Sequence, residues 1–195
     1  FNVLLTIQIK AKRSGNETIY KMVSKLSALL RASIYTNNVD RITVGEELEY
    51  TEFYLYLQKM RFEDRFFYKI IVEDEELKKS IIPKFVIEPI VENAVIHGIE
   101  NIENEGVIRI VLKKMGTDLL VTVQDNGAGF DVKEYFNSLE QAENGSSREK
   151  IGLKNVDLRL RHIYGEEYRI KIKSKINTGT TIYIKIPIEE REENV

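Results

Sequence analysis

The 195-residue chain, 43% hydrophobic, is long enough for one large domain or two small ones with a hydrophobic core. Lysine and arginine number 29 against 31 aspartates and glutamates, so the chain lacks the basic footprint of a nucleic-acid-binding protein. It contains no cysteine, which excludes disulfides and thiolate metal sites, and its residues predict neither a signal peptide nor an apolar run of membrane-spanning length. We therefore expect neither nucleic-acid binding nor direct membrane contact from this segment.

The first 62 residues have the patterns of two helices. Helical apolar spacing predicts a helix over residues 1–31, with a possible bend or frayed turn at Gly15. Thr43 followed by Glu46 is a capping-box signal that predicts a second helix over residues 44–62. Because two helices cannot close a core, we expect this helical hairpin to pair with a second copy as a four-helix bundle. The alternative is that it folds back onto the rest of the chain.

Strand and helix patterns alternate after residue 64. Alternating apolar residues predict a strand in "RFFYKIIVED", and Pro83 predicts the start of a helix that Pro89 kinks or delays. "GVIRIVLKK" and "DLLVTVQD" predict a β-hairpin, residues 131–150 have the composition of a mobile loop, and residues 151–164 have helical spacing. "YRIKIKSK" and "TTIYIKIPI" predict two closing strands.

This order of elements predicts an α+β fold with helices on one face of a mostly antiparallel sheet. We place a domain boundary near residue 64. The helical hairpin then occupies residues 1–64 and an α/β sandwich domain occupies residues 65–195.

The stretch "VENAVIHGIE" carries polar residues in an otherwise apolar helix. Asn93 and His97 are four residues apart and share a face, while Glu92 lies about 100° round the helix from Asn93. Amide and carboxylate oxygens are ligands that Mg²⁺ accepts, with water and nucleotide phosphates completing its shell. The alternative, which applies to His97 in particular, is a helix end whose polar groups cap the backbone or are satisfied internally.

A second polar stretch, "VQDNGAGFD", follows a predicted strand. Asp125 ends that strand, so its carboxylate emerges at the end of the sheet and suits a donor such as an exocyclic amine. Gly127 and Gly129 let the backbone turn and approach a flat ligand. Asn-Gly is also an ordinary turn signal, so the stretch alone does not distinguish a site from a turn.

Two later stretches add polar groups of the same kind. Gly152 begins a predicted helix, where free N–H groups and the helix dipole favour an anion, and Asn155 adds an amide one turn later. Thr180 in "NTGTT" leads into the last strand, and its hydroxyl can face the same pocket. Each stretch is ordinary in isolation, whereas their order and spacing are not.

The four stretches "VENAVIHG", "DNGAG", "IGLKNVDLRL" and "TGT" together resemble the N, G1, G2 and GT boxes of the GHKL ATPase superfamily, which includes gyrase, MutL and histidine kinases. The two-helix segment and "IPKFVIEPIVENAVIHGI" are similar to the YesM/LytS-type sensor histidine kinases of bacteria. The resemblance covers nearly the whole chain. It implies a dimerisation and phosphotransfer hairpin, homodimeric through residues 1–64, followed by a GHKL-type sandwich that binds ATP and Mg²⁺.

The resemblance also implies roles for individual residues. Asn93 would hold Mg²⁺ on the triphosphate with Glu92 nearby, and His97 would lie near the phosphates. Asp125 would accept the adenine amino group, with Thr180 joining through water. Gly127 and Gly129 would shape the base pocket. Gly152, Leu153 and Asn155 would contact the phosphates, and residues 131–150 would form a flexible lid over the nucleotide.

Two departures from the family pattern concern phosphate chemistry. Ile96 stands where relatives often carry a lysine, which removes one cationic phosphate contact. Lys150 occupies the first glycine position of the G2 box and can itself supply a positive charge to the phosphates. Hydrolytic members carry a general-base glutamate where this chain has Pro89, and Glu88 is one residue away, which favours phosphoryl transfer over hydrolysis.

The phosphoacceptor histidine of the resembled family lies in a "PHFLFN"-like motif. This chain opens with what looks like the last two letters of that motif, which places the acceptor upstream of Phe1. We expect neither His97 nor His162 to replace it. No catalytic residue is therefore assigned within the chain, and the fragment itself is not expected to autophosphorylate.

The leading functional hypothesis is the cytoplasmic kinase core of a bacterial membrane-bound two-component sensor. It would autophosphorylate a histidine with ATP and pass the phosphate to an aspartate of a response-regulator receiver domain. One alternative is a non-enzymatic dimeric interaction module, with Ile96 and Lys150 marking a degenerate nucleotide site. Another is an ATP-dependent serine kinase of the anti-sigma type, which the long N-terminal hairpin disfavours.

Overall fold

The computed structural model describes residues 2–35, 40–135 and 151–189. The chain divides into two compact units, Phe1–Asp40 and Arg41–Val195. No helix within the described residues is both long and apolar enough to cross a membrane.

The first unit is a hairpin of two helices, α1 (Asn2–Arg13) and α2 (Glu17–Tyr35). The chain reverses at Gly15, whose φ of 68° is a left-handed conformation that favours glycine. Asn16 caps α2, with its side-chain oxygen 3.0 Å from the backbone nitrogen of Ile19. The prediction of one helix over 1–31 was therefore wrong, because Gly15 and Asn16 stop one helix and start another.

The second unit begins with β1 (Arg41–Thr43) and α3 (Val44–Phe62). The predicted capping box is confirmed: the Glu46 N–H donates to Thr43 Oγ1 at 3.1 Å, and the Thr43 N–H donates to the Glu46 carboxylate at 2.8 Å. Leu48 and Leu55 of α3 are buried in the core of this unit. The predicted partner of the first helix therefore packs within the second unit, and the helical hairpin consists of α1 and α2 instead.

Five strands form one sheet: β2 (Phe66–Val72), β4 (Gly106–Met115), β5 (Asp118–Asp125), β6 (Lys171–Lys175) and β7 (Gly179–Pro187). Their order across the sheet is β2–β4–β5–β7–β6. Only β2 and β4 pair in parallel, and the other described neighbours are antiparallel, which confirms the predicted mostly antiparallel sheet. The β4–β5 hairpin and the two closing strands lie where the sequence pattern placed them.

Alternating residues direct one face of the sheet into the core. Ile108, Ile110 and Leu112 of β4 are fully buried, while Arg109 and Lys113 on the opposite face are exposed. Helix α5 (Ile151–Tyr164) contributes Leu153, Val156 and Leu160 to the same core, whereas Ile163 is exposed. The result is the predicted α+β sandwich, with one covered face and one polar face.

The segment before the Asn93 helix differs from the prediction. Pro83 does not start a helix, because Ile81–Pro83 forms strand β3 and pairs with β1. Helix α4 (Glu88–Asn93) begins later, with Pro89 in its first turn, which is the late start that Pro89 predicted. The helix then widens into a π-helical turn, Ala94–Gly98.

Candidate functional site

Asp125 ends β5, the middle strand of the sheet, and its side chain is held by the backbone. The residue is only 7% exposed. Its Oδ1 accepts hydrogen bonds from the N–H groups of Gly127 at 2.8 Å and Thr180 at 3.2 Å. No hydrogen bond from the described residues reaches Oδ2. One carboxylate oxygen is thus fixed, and the other remains an acceptor for an external donor.

Burial sets the protonation behaviour of this carboxyl. Desolvation raises the pKa of Asp125 to about 6, against the opposing effect of the N–H groups of Gly127 and Thr180. The group is therefore ionised at neutral pH and becomes protonated in mild acid.

The π-helical turn lies directly against the loop that follows Asp125. The Ala128 N–H donates to the Gly98 carbonyl at 3.1 Å. A Cβ on Gly98 would lie 3.0 Å from Asp125 Oδ1, and a Cβ on Gly127 would overlap the Gly98 backbone. Glycine at 98 and 127 thus permits the two segments to touch. Gly98 was not among the predicted site residues, although its position after His97 in the first motif was a usable signal.

The predicted metal-side residues lie where α4 becomes the π-helical turn. Asn93, the last residue of α4, and His97 are half-buried, and Glu92 is exposed. π-Helical turns are frequent at functional sites. Within the described ranges, no group of three or more His, Cys, Asp or Glu side chains is placed to hold a metal ion. The Asn93 amide alone fits a Mg²⁺ ion that is held chiefly by water and phosphate oxygens. It does not fit an ion enclosed by protein ligands only.

The turn between β6 and β7 closes the other side of the Asp125 loop. The Asn177 N–H donates to the Ala128 carbonyl at 2.6 Å. Gly129 has a φ of 60°, and a Cβ there would overlap the Lys175 carbonyl. From the sequence, Gly127 and Gly129 were expected to let a ligand approach the backbone. In the structure, protein backbone fills the space beside each of them.

Thr180 meets Asp125 through its backbone N–H, and its hydroxyl has a different partner. Thr180 Oγ1 lies 2.8 Å from Ser174 Oγ, which also accepts from the Phe130 N–H at 2.9 Å. Ser174 was not predicted as a site residue. Its alternating position in β6, facing the start of β7, explains why it lies here.

The predicted phosphate-side residues have different surroundings. At the start of α5, Gly152 is half-buried, and a Cβ there would meet nothing within 4 Å. Leu153 is a core residue, so only its backbone can contact a ligand, and Asn155 is exposed. Lys150 and residues 136–150 of the predicted lid lie outside the described residues. The described hydrogen bonds therefore unite Asp125, Gly127 and Thr180 but do not extend to the α5 terminus.

Glu88, the acid closest to the missing general-base position, begins α4 and is half-buried. Desolvation, with smaller contributions from the negative charges of Glu47 and Glu92, raises the pKa of Glu88 to about 6.

Comparison with known proteins identifies the family of this chain. A family model described as "Histidine kinase-, DNA gyrase B-, and HSP90-like ATPase" matches residues 79–190, and one described as "Histidine kinase" matches residues 1–66. The chain belongs to the histidine kinase-, DNA gyrase B- and HSP90-like ATPase family. The gap between the two matches lies close to the predicted domain boundary, whereas the contacts of this ATPase-family chain divide it at residue 40. The division at residue 64 stays a prediction.

Relatives of this ATPase-family chain include named sensor kinases. It is 35% identical over 187 residues to the sensor histidine kinase YesM of Bacillus subtilis. That alignment covers 96% of this chain and 31% of YesM. It is 30% identical over 195 residues to the sensor protein LytS of Staphylococcus haemolyticus, covering 100% of this chain and 33% of LytS. These relatives confirm the YesM/LytS resemblance. The chain spans about a third of their length.

Solved structures share the fold. The histidine kinase domain of the Erythrobacter litoralis EL346 blue-light activated histidine kinase superposes with a TM-score of 0.55 at 15% identity, covering 95% of this chain and 88% of that one. The catalytic domain of histidine kinase ThkA gives a TM-score of 0.56 at 16% identity, covering 75% of this chain and 95% of that one. At these identities the likeness concerns the fold alone, and it confirms the GHKL-type sandwich.

Proposed function

We propose that this chain binds ATP with Mg²⁺ as the kinase core of a bacterial two-component sensor. In the whole protein, the core would phosphorylate a histidine, and the phosphate would pass to an aspartate of a response-regulator receiver domain. Membership of the ATPase family and the sensor kinases among its relatives support the proposal. The core would be the cytoplasmic part of a membrane protein.

The observation that carries the proposal is the half-satisfied carboxylate of Asp125. Backbone N–H groups orient Oδ1, and Oδ2 accepts nothing from the described residues. A fixed acceptor suits the 6-amino group of adenine, which donates, and disfavours the 6-oxo group of guanine, which accepts. The expected specificity is therefore ATP over GTP.

The residues assigned to phosphates and metal lie on two helices. We assign Asn93, with Glu92 and His97 nearby, to the metal side, and the start of α5 at Gly152 and Asn155 to the phosphate side. Free N–H groups and the helix dipole at α5 favour an anion, and Lys150 adds a positive charge just before it. Mg²⁺, when bound, neutralises phosphate charge and orients the triphosphate.

Two features of the chain bear on the reaction. Pro89 occupies the place of the hydrolytic general base, so we expect slow ATP hydrolysis and transfer to a protein histidine instead. The apolar residues Val3, Leu5, Ile7 and Ile9 of α1 are exposed, which supports a homodimer through residues 1–64.

Calorimetric titration with ATP and with GTP, each with Mg²⁺, tests the binding. We expect ATP binding and no GTP binding. A folded chain that binds neither nucleotide would favour the non-enzymatic interaction module. Ile96 and Lys150 would then be the first positions to change to the lysine and glycine that the family pattern has there. A chain extended at its N-terminus to include the histidine motif tests transfer, because such a protein should take label from γ-labelled ATP.

A further inference from the structure

Glu47 of α3 holds the segment that leads into α4. Its carboxylate is fully buried, at 0% exposure, and it accepts hydrogen bonds from four consecutive backbone N–H groups. Oε2 accepts from Phe85 at 3.0 Å, and Oε1 accepts from Val86 at 2.9 Å, Ile87 at 3.0 Å and Glu88 at 3.3 Å.

This arrangement supplies a cap that α4 lacks. The first N–H groups of a helix have no partner within the helix and need one from elsewhere. Ile87, at the N-cap position of α4, cannot make a side-chain cap, and Pro89 has no N–H to satisfy. A carboxylate from a different helix therefore does what a local Ser, Thr, Asn or Asp does at most helix starts.

The same carboxylate stabilises an unusual backbone conformation. Phe85 has a φ of 57°, which is unfavourable for a residue with a bulky side chain, and the residue is 46% exposed. Burial of Phe85 therefore does not explain the conformation. The Glu47 bonds to Phe85 and the next residues do, because a left-handed residue lets successive N–H groups converge on one anion.

No lysine or arginine among the described residues forms a salt bridge with Glu47. Desolvation raises the pKa of its carboxyl, and the four backbone N–H groups oppose that shift. Both oxygens of this buried carboxyl accept backbone N–H groups at the start of α4, which ties the position of α4 to that of α3.

We propose that Glu47 is a positioning residue for the nucleotide site. By fixing the start of α4, it sets the position of Asn93 and of the π-helical turn whose Gly98 packs against the Asp125 loop. Glu47 lies in the segment that matches the histidine kinase model, and α4 lies in the segment that matches the ATPase model. A displacement of α3 would therefore displace α4 as well and, through Asn93, change nucleotide affinity. The role of Asn93 in this inference rests on the proposed function.

The test compares Glu47→Gln with Glu46→Ala. Glutamine keeps the size of the side chain but turns one acceptor oxygen into a donor that faces backbone N–H groups. Glu46→Ala weakens the capping box of the same helix and leaves the contacts with residues 85–88 intact, so it controls for loss of stability. Thermal unfolding is measured for each variant. Glu47→Asp, which keeps the charge but has a shorter reach, is the second variant if Glu47→Gln does not fold.

We expect Glu47→Gln to weaken ATP·Mg²⁺ binding about tenfold, as the loss of one buried hydrogen bond does, and Glu46→Ala to leave it nearly unchanged. Hydrogen exchange should accelerate from residue 86 through Gly98 and Gly127 in Glu47→Gln alone. Equal losses of affinity in the two variants would overturn the inference. If the unmodified chain binds no ATP, the proposed function fails. Hydrogen exchange then still tests whether Glu47 positions α4 and the π-helical turn, and acceleration that stops before Gly98 refutes that role.

Discussion

Asp125→Asn should separate nucleotide binding from stability. The asparagine carbonyl can accept the Gly127 and Thr180 N–H groups as Oδ1 does, so the local backbone contacts survive. Its NH₂ group then takes the place of Oδ2. A donor at that position faces the adenine amino group, which is also a donor.

The structure sets the expected magnitudes. A hydrogen bond to a charged group contributes ~1.5–3 kcal/mol, so its loss should weaken ATP binding by a factor on the order of 10 to 100. The same substitution should increase the stability of the fold. Burial raises the pKa of Asp125 from 3.8 to about 6. A shift of that size corresponds to an upper limit of ~3 kcal/mol of destabilisation by the ionised carboxylate, which asparagine removes.

The sign follows from proton linkage. Between pH 3.8 and about 6 the folded protein holds the Asp125 proton more tightly than the unfolded chain does. This carboxyl therefore makes folding less favourable as pH rises through that range, and its cost is complete above it. At pH 8 the Asn variant should be at least as stable as the parent protein.

Calorimetric ATP titration and urea unfolding at pH 8 measure the two effects. Asp118→Asn is the matched control, because Asp118 is buried at the opposite end of β5 and forms a salt bridge with Lys185 at 2.9 Å. It should lose stability and keep ATP affinity. Unchanged ATP affinity in Asp125→Asn would refute the adenine role of Asp125, and a large loss of stability would refute the cost assigned to its buried charge.

Three further predictions concern neighbouring features. ATP affinity, measured by calorimetry, should fall steeply below pH 6 in the parent protein and less steeply in Asp125→Asn, because protonation of Asp125 removes its acceptor; parallel pH profiles would contradict this. Gly127→Ala should lower the unfolding temperature and abolish ATP binding because its Cβ overlaps Gly98, whereas Gly152→Ala, which has open space, should leave the unfolding temperature nearly unchanged. Thr43→Ala should cost ~1 kcal/mol in urea unfolding through loss of the α3 cap, and no loss would show the cap to be dispensable.

Local signals were sufficient where the interacting residues are close in sequence. The α3 cap needs only Thr43 and Glu46, and the β4–β5 hairpin needs only two alternating segments and a turn between them. The candidate site could be proposed from the sequence for another reason, since its four motifs together resemble the boxes of one superfamily. Residue spacing alone left each motif open to an ordinary structural interpretation.

Longer-range contacts explain what the sequence did not predict. Pro83 is a reasonable first residue of a helix by local preference, but pairing of β3 with β1 overrides that preference. The start of α4 depends on Glu47, which precedes Glu88 by 41 residues. Periodicity also could not distinguish a helix that bends at Gly15 from a chain that reverses there, because both conserve the apolar spacing on each side.

The surroundings of Gly127 and Gly129 change the physical explanation of the "DNGAG" motif. Gly127 leaves room for the backbone of the π-helical turn at Gly98, and Gly129 leaves room for the carbonyl of Lys175. The Asp125 loop is thus held between two other backbone segments, and hydrogen bonds from Ala128 and Asn177 join all three. Glycine here serves the close packing of protein backbone, which in turn fixes Oδ1 and leaves Oδ2 available. The motif therefore fixes the aspartate side chain, and the proposed selection of adenine would rest on the one carboxylate oxygen that the backbone does not occupy.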